Sequence, residues 1–168
     1  MKFTVEMLTR GVDYARYRRA YFSEAFNCYV VPAANLSERT LIEHATLPDG
    51  REHRRMKIVP RIELPKLLQQ ILQGHRVQYE ETMLFDPQAR TARLEVHTLA
   101  GERLRVSADA QFIERQDGVL MRIQCDAQVR LFGVGTAIER HLVGEVTQRY
   151  ALVERALQQF LDEGRDLI

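Results

Sequence analysis

The chain reads as an α+β protein: a curved antiparallel sheet of about seven strands wrapped around a long C-terminal helix, with short helices after the first strand. Three observations predict this. From about Phe132 to Asp162, Val134, Ile138, Leu142, Val146, Tyr150, Val153, Leu157 and Phe160 or Leu161 recur at steps of three and four, a stripe with a period near 3.6. The stretches before it alternate apolar and polar residues, and short links between them favour antiparallel neighbours. Strands and helices are also segregated along the chain, the pattern of α+β folds. So long a helix cannot hide its stripe alone, and the sheet must supply the covering surface.

The elements follow in order. Lys2 to Leu8 sets Phe3, Val5 and Met7 against polar neighbours, a half-buried strand. Gly11 breaks it, and Asp13 can cap a helix from Tyr14. Tyr14 to Asn27 suits one or two short helices, which the chain leaves at Val30, Val31 and Pro32. Leu36 to Leu47 is strand-like, and Pro48-Asp49-Gly50 turns it into a second strand, Arg51 to Val59, ended by Pro60. Pro65 suits the first position of a short helix, with Gly74 past its end. Four strands are then expected, Val77–Asp86, Thr91–Thr98, Glu102–Glu114 and Val119–Leu131. Gly133 and Gly135 fit the entry to the long helix, with Thr136 as a cap, and Gly164 fits its exit.

Composition narrows the function classes. At 168 residues the chain suits one domain, residues 1–168, and no repeat or linker divides it. Lys and Arg total 24 against 23 Asp and Glu, so the basic footprint of a nucleic-acid binder is missing. The runs Arg16, Arg18, Arg19 and Arg51, Arg54, Arg55, Lys57 read as solvated faces. The start, Met1 to Leu8, is too short and polar for a signal peptide, and no apolar run reaches membrane-spanning length. The expectation is a cytoplasmic protein without stable membrane insertion. Cys28 and Cys125 form no CxxC pair and read as separate, reduced core residues.

Two local motifs add to the pattern: Glu63-Leu64-Pro65 in mid-chain, and the small-residue turn Gly133-Val134-Gly135-Thr136-Ala137-Ile138-Glu139-Arg140-His141-Leu142. With the order of elements, they make the chain resemble the START-like (SRPBCC, helix-grip) superfamily, nearest in look to uncharacterised bacterial START-like proteins. The C-terminal end also resembles, more weakly, PRELI-type lipid-transfer domains. The resemblance covers essentially the whole chain and carries no catalytic motif. It implies a sheet gripping the last helix, with a cavity between them that often holds an apolar ligand.

Strand parity indicates which residues would line such a cavity. Tyr79, Glu81 and Met83 share one face of their strand. Ala108, Ala110 and Phe112 form the next inward row, Met121, Ile123 and Cys125 another, and the helix adds Ile138 and Leu142. Several are small enough to leave space. Glu81 is a lone acid on an apolar face, costly to bury charged, so it requires a partner or a raised pKa. It reads as a polar anchor for a ligand or as one half of a salt bridge to Arg54. Tyr79 offers a hydroxyl in the same place. Leu64, Leu67, Leu68 and Ile71 make the connection over residues 60–76 apolar, as a gate over the cavity mouth or as a fixed helix.

No metal or cofactor is expected. The histidines His44, His53, His75, His97 and His141 show no ligand motif, and His141 with Glu145 reads as a polar pair at the edge of the stripe. Gly133-Val134-Gly135 lacks the third glycine of a dinucleotide site, and Ser23, Ser37 and Ser107 lack a nucleophile setting. Three readings follow. The first is a module binding a lipid or other hydrophobic small molecule, for transport or sensing. The second is a cyclase- or dehydratase-type enzyme using Glu81, Tyr79 and Arg54. The third is a protein-interaction module with a collapsed cavity.

Overall fold

Alternation along β1 (Lys2–Arg10) buries Val5, Met7 and Thr9 and leaves Lys2, Glu6 and Arg10 to water. The computed structural model describes residues 1–64, 66–71 and 75–167, apart from the side chains of Leu67, Leu68 and Ile71. After β1 come α1 (Tyr14–Tyr21), α2 (Glu24–Ala33), β2 (Leu36–Thr46), β3 (Glu52–Pro60) and α3 (Lys66–Ile71). Then follow β4 (Tyr79–Asp86), β5 (Thr91–Thr98), β6 (Leu104–Arg115), β7 (Gly118–Val129) and α4 (Gly135–Asp162). Pro65 and Gly74, expected to bound the short mid-chain helix, lie outside the described residues.

The seven strands form one antiparallel sheet in the order β1-β7-β6-β5-β4-β3-β2. β2 to β7 pair with their chain neighbours, as short turns dictate. In the first hairpin Leu47 N–H donates to Arg51 O at 2.8 Å, and Gly50 takes the left-handed φ of +85° that such a turn requires. β1 pairs beside β7, so β1 and β2 are the two edges, and α1 and α2 carry the chain from one edge to the other. The sheet is curved and open, and it holds α4 against β1 and β7.

Local chemistry sets the helix ends. The Asp13 carboxylate accepts from Arg16 N–H at 2.7 Å and starts α1; Ser23 Oγ accepts from Phe26 N–H at 3.0 Å and starts α2. α2 runs on through Val30, Val31 and Pro32, where the sequence pattern predicts an exit. Proline in the last turn forfeits only one hydrogen bond, and Ala34 N–H closes the helix on Val30 O at 2.8 Å. α4 starts without a side-chain cap: Val134 holds the cap position, and Thr136 is exposed inside the helix. There Gly135 has a steric role, because a Cβ would sit 2.6 Å from Val129 O. Gly164 ends α4 at φ +67°, with its N–H on Leu161 O at 3.0 Å.

Aromatic side chains close one end of the molecule. Tyr17 and Tyr21 of α1 stack with centroids 5.6 Å apart, and Phe112 of β6 lies within 6.5 Å of Tyr14, Tyr17, Tyr21, Phe22 and Phe85. Phe160 of α4 meets Phe26 at 5.4 Å and Tyr29 at 5.3 Å. Each ring removes a large apolar area from water, so this end is filled solid. Cys125 is buried, but Cys28 is exposed on α2 rather than in the core, and both are free thiols.

Candidate ligand cavity

The sheet register turns the alternation of seven strands into rows that cross beneath α4. One row runs Arg39–Ile58–Tyr79–Thr98. The next is Met56–Glu81–Val96–Val106–Ala127, and then Met83–Leu94–Ala108–Cys125–Phe3. Beyond these, Phe85–Ala92–Ala110–Ile123–Val5 begins the aromatic end. Where the rows carry valine, alanine and cysteine, the side chains stop short of the helix. A cavity of about 240 Å³ remains there, between the sheet and the first half of α4.

Tyr79, Glu81, Ala108, Cys125, Ile138 and Leu142 line it, as does Leu64 of the connection after β3. Met83, Ala110, Phe112, Met121 and Ile123, expected at the same surface, do not. They share the inward face, but they lie on or toward the rows that the aromatic side chains cover, and all five are buried in the core. Met121 illustrates the difference: its sulfur contacts the Tyr17 hydroxyl at 3.7 Å, under α1. The side chains of Leu67, Leu68 and Ile71 lie outside the described residues.

The lining is mainly aliphatic, and its polar groups gather on a few elements. Burial raises the Glu81 carboxyl above the ordinary carboxylate range, and Arg39 offsets this in part. Burial, with help from Glu81, pushes the Tyr79 phenol up to about 12. Burial likewise raises Tyr150, well above the ordinary phenol value, and Tyr21, whose shift the nearby Arg39 guanidinium reduces. Glu81, Tyr79, Arg39 and Tyr150 are half-buried, and the surface they keep faces the cavity. Among the described residues, Arg39 Nε and His141 Nε2 are buried without a hydrogen-bond partner.

α4 contributes more polar chemistry than its pattern suggests. Arg149, which lies off the apolar stripe, turns inward: its Nη1 donates to Ala34 O at 3.0 Å, at the C-terminal end of α2, where a cation is favoured. Its other nitrogen lies 3.7 Å from Glu145. Glu145 therefore pairs with Arg149, not with His141, and all three line the cavity. Arg54 lies elsewhere. It is buried beside Phe22, with its guanidinium 5.0 Å from the ring centre and Nη2 donating to Phe22 O at 3.3 Å. It makes no ion pair with Glu81 among the described residues; the cation whose charge partly offsets the Glu81 shift is Arg39.

Arg39 is the residue that strand alternation misplaces. Counting by twos from the buried Leu36 turns it outward. A bulge between Leu36 and Glu38 shifts the register by one, which sets Arg39 against Ile58 and turns it inward. The available signal was the odd spacing of Leu36 and Leu41, which no regular strand can place on one face.

No cluster of three or more His, Cys, Asp or Glu is placed to hold a metal among the described residues, and none of their helices is long and apolar enough to cross a membrane. His44 lies 3.2 Å from Glu52 and His97 3.3 Å from Thr82, so neither joins His141.

A sheet of this order gripping a long C-terminal helix, with two short helices after the first strand, is the START-like, helix-grip fold. Solved structures share the fold. A START superfamily protein from Mycobacterium smegmatis matches with a TM-score of 0.56 and 16% identity, over 97% of each chain. TTHA0849 from Thermus thermophilus matches at 0.65 and 12%, over 95% of each chain. The Zhui aromatase/cyclase from Streptomyces sp. R1128 matches at 0.59 and 10%, over 96% of this chain and 94% of that one. No curated protein sequence matches significantly. Residues 8–161 match the family described as a protein of unknown function, DUF2505, and the chain belongs to that family.

Proposed function

We propose that the protein binds one compact apolar small molecule between the sheet and α4, oriented by a polar end near Arg39, Glu81 and Tyr79. The observation that carries this reading is the mainly aliphatic cavity of about 240 Å³ with a few convergent polar groups. Small-molecule sites run upward from roughly 300 Å³, so a single-chain or ring-shaped ligand suits this one better than a two-chain lipid. Affinity would come from desolvated apolar area, and the polar groups would fix orientation. Ile62 and Leu64, in the cavity wall on the connection just after β3, support a role for that connection in entry. Such a site would serve transport or sensing of the ligand.

A second reading is an acid–base enzyme of the cyclase or dehydratase type. Glu81, Tyr79 and Tyr150 face one space, Arg39 adds a cation, and burial shifts the carboxyl and both phenols upward. An aromatase/cyclase among the fold neighbours supports considering it. The open volume speaks against a module with a collapsed cavity.

Native mass spectrometry before and after organic extraction tests the binding reading. An extra mass lost on extraction is expected. A bare protein that also takes up no fluorescent apolar probe would refute it. Glu81→Gln and Tyr79→Phe then separate the roles: a binding module changes affinity with either variant, whereas an enzyme keeps its ligand and loses turnover. If both variants leave binding and turnover unchanged, neither residue has the proposed role.

A further inference from the structure

The cavity mouth has an unusual rim. Phe132, in the loop between β7 and α4, is fully exposed, and Leu99, in the loop between β5 and β6, is 61% exposed. The two loops are neighbours, since Arg130 N–H donates to Arg103 O at 2.8 Å. Both join the cavity wall: Leu99 lines it, and so does Leu131, next to Phe132. Single exposed apolar side chains are routine on a protein surface. Two of them on adjacent loops, beside the mouth of an apolar cavity, are a different arrangement.

Cations surround them. Arg61, Arg76, Arg103 and Arg130 are all exposed, and among the described residues none is in an ion pair. Arg103 itself lines the mouth, and Arg61 and Arg76 adjoin the lining residues Ile62 and Val77. Nearby acids are mostly engaged. Asp126 and Glu139 lie 3.6 and 3.5 Å from the Met1 amine, and Glu102 pairs with Arg105. Glu63 is the exposed acid left on this rim without an ion pair among the described residues. The chain is nearly neutral as a whole, so positive charge is concentrated here.

We propose that the cavity mouth docks on anionic lipid membranes, with Phe132 and Leu99 entering the headgroup layer and the four arginines meeting the lipid charge. An aromatic ring suits the interfacial layer, and each cation near an anionic surface strengthens association about fivefold. A bilayer fits better than a protein partner because the exposed apolar surface here is two loop side chains ringed by cations, not a broad apolar patch. Docked in this way, the mouth opens into lipid, and an apolar ligand enters or leaves without crossing water. That last step rests on the ligand reading above; the docking itself rests on the rim.

The chain has no tryptophan, so Phe132→Trp introduces a single fluorescent reporter at a fully exposed position. Its emission should shift to the blue with vesicles of phosphatidylglycerol and phosphatidylcholine in equal parts, and not with phosphatidylcholine alone or at high salt. In flotation, Phe132→Ser with Leu99→Ser should weaken binding about tenfold. Arg103→Glu with Arg130→Glu should abolish the preference for anionic lipid. No shift, an equal shift on neutral vesicles, or flotation unchanged by both double variants overturns the proposal. A Phe132-dependent dimer on gel filtration, with no vesicle binding, assigns the face to a second copy and overturns it as well. Flotation and native mass spectrometry of Phe132→Ser alone, which leaves the cavity lining intact, keep the two readings apart. Retained ligand with lost flotation supports both, whereas wild-type protein that floats but never carries ligand refutes the ligand reading alone.

Discussion

The two halves of α4 show what the same stripe does against different partners. Ala156, Leu157, Phe160 and Leu161 are buried, with Phe160 against Phe26 and Tyr29 of α2. Ile138, Leu142, Val146 and Tyr150 line the cavity. Helix, period and sheet face are common to both halves. What differs is the volume offered from below: phenylalanine and tyrosine at one end, valine, alanine and cysteine at the other. A close-packed end fixes the helix, and that lets the other end keep a space that would otherwise collapse.

Paired substitutions can break this contrast. Phe160→Ala should cost about 3–5 kcal/mol in urea unfolding, because it removes a ring held by two others. Leu142→Ala, one of the half-buried residues on the cavity, should cost about 1 kcal/mol, since its removal enlarges a space already there. Equal losses would mean that the cavity half is packed as tightly as the aromatic half.

The sheet allows a finer version. Ala108 and Ala110 sit two residues apart on one face of β6, and only Ala108 lines the cavity. Ala110→Leu should destabilise by about 1–3 kcal/mol through overpacking. Ala108→Leu should change stability by less than about 1 kcal/mol while displacing any ligand, which melting curves and mass spectrometry would read together. A large loss from Ala108→Leu would deny the space.

Smaller effects probe the polar lining. Arg149→Met should cost about 1 kcal/mol by freeing the end of α2. Glu81→Gln tests pH dependence. Folding raises the Glu81 pKa, so this carboxyl favours the folded state below its unfolded value of about 4.3, and the contribution is lost as pH rises through the folded value. Glutamine stays neutral throughout. The variant should therefore match the wild type in acid and exceed it in stability at neutral pH. A difference independent of pH would show that the carboxyl does not titrate in a buried site.

Much of the fold was legible because periodicity is local. The stripe on α4, the alternation of Tyr79 with Glu81 and of Ala108 with Ala110, and the turn at Pro48-Asp49-Gly50 each follow from neighbouring residues. The site was legible only in part. Glu81 stood out as an acid among apolar neighbours. Arg39 did not, because a bulge reversed its side, and neither did Arg149, which lies off the apolar stripe and whose acceptor, Ala34 O, is far away in sequence.

The sequence by itself determined the elements, their order and the inward face of most strands, since side-chain period and turn chemistry act within a few residues. Only the tertiary structure decided where the inward face is filled and where it is empty. That depends on which rows the rings of α1 and α2 reach. Met121 and Cys125 have the same parity on β7, yet one lies under Tyr17 and the other beneath open space. Packing volume is a property of side chains brought together from distant strands and helices, and no local pattern encodes it.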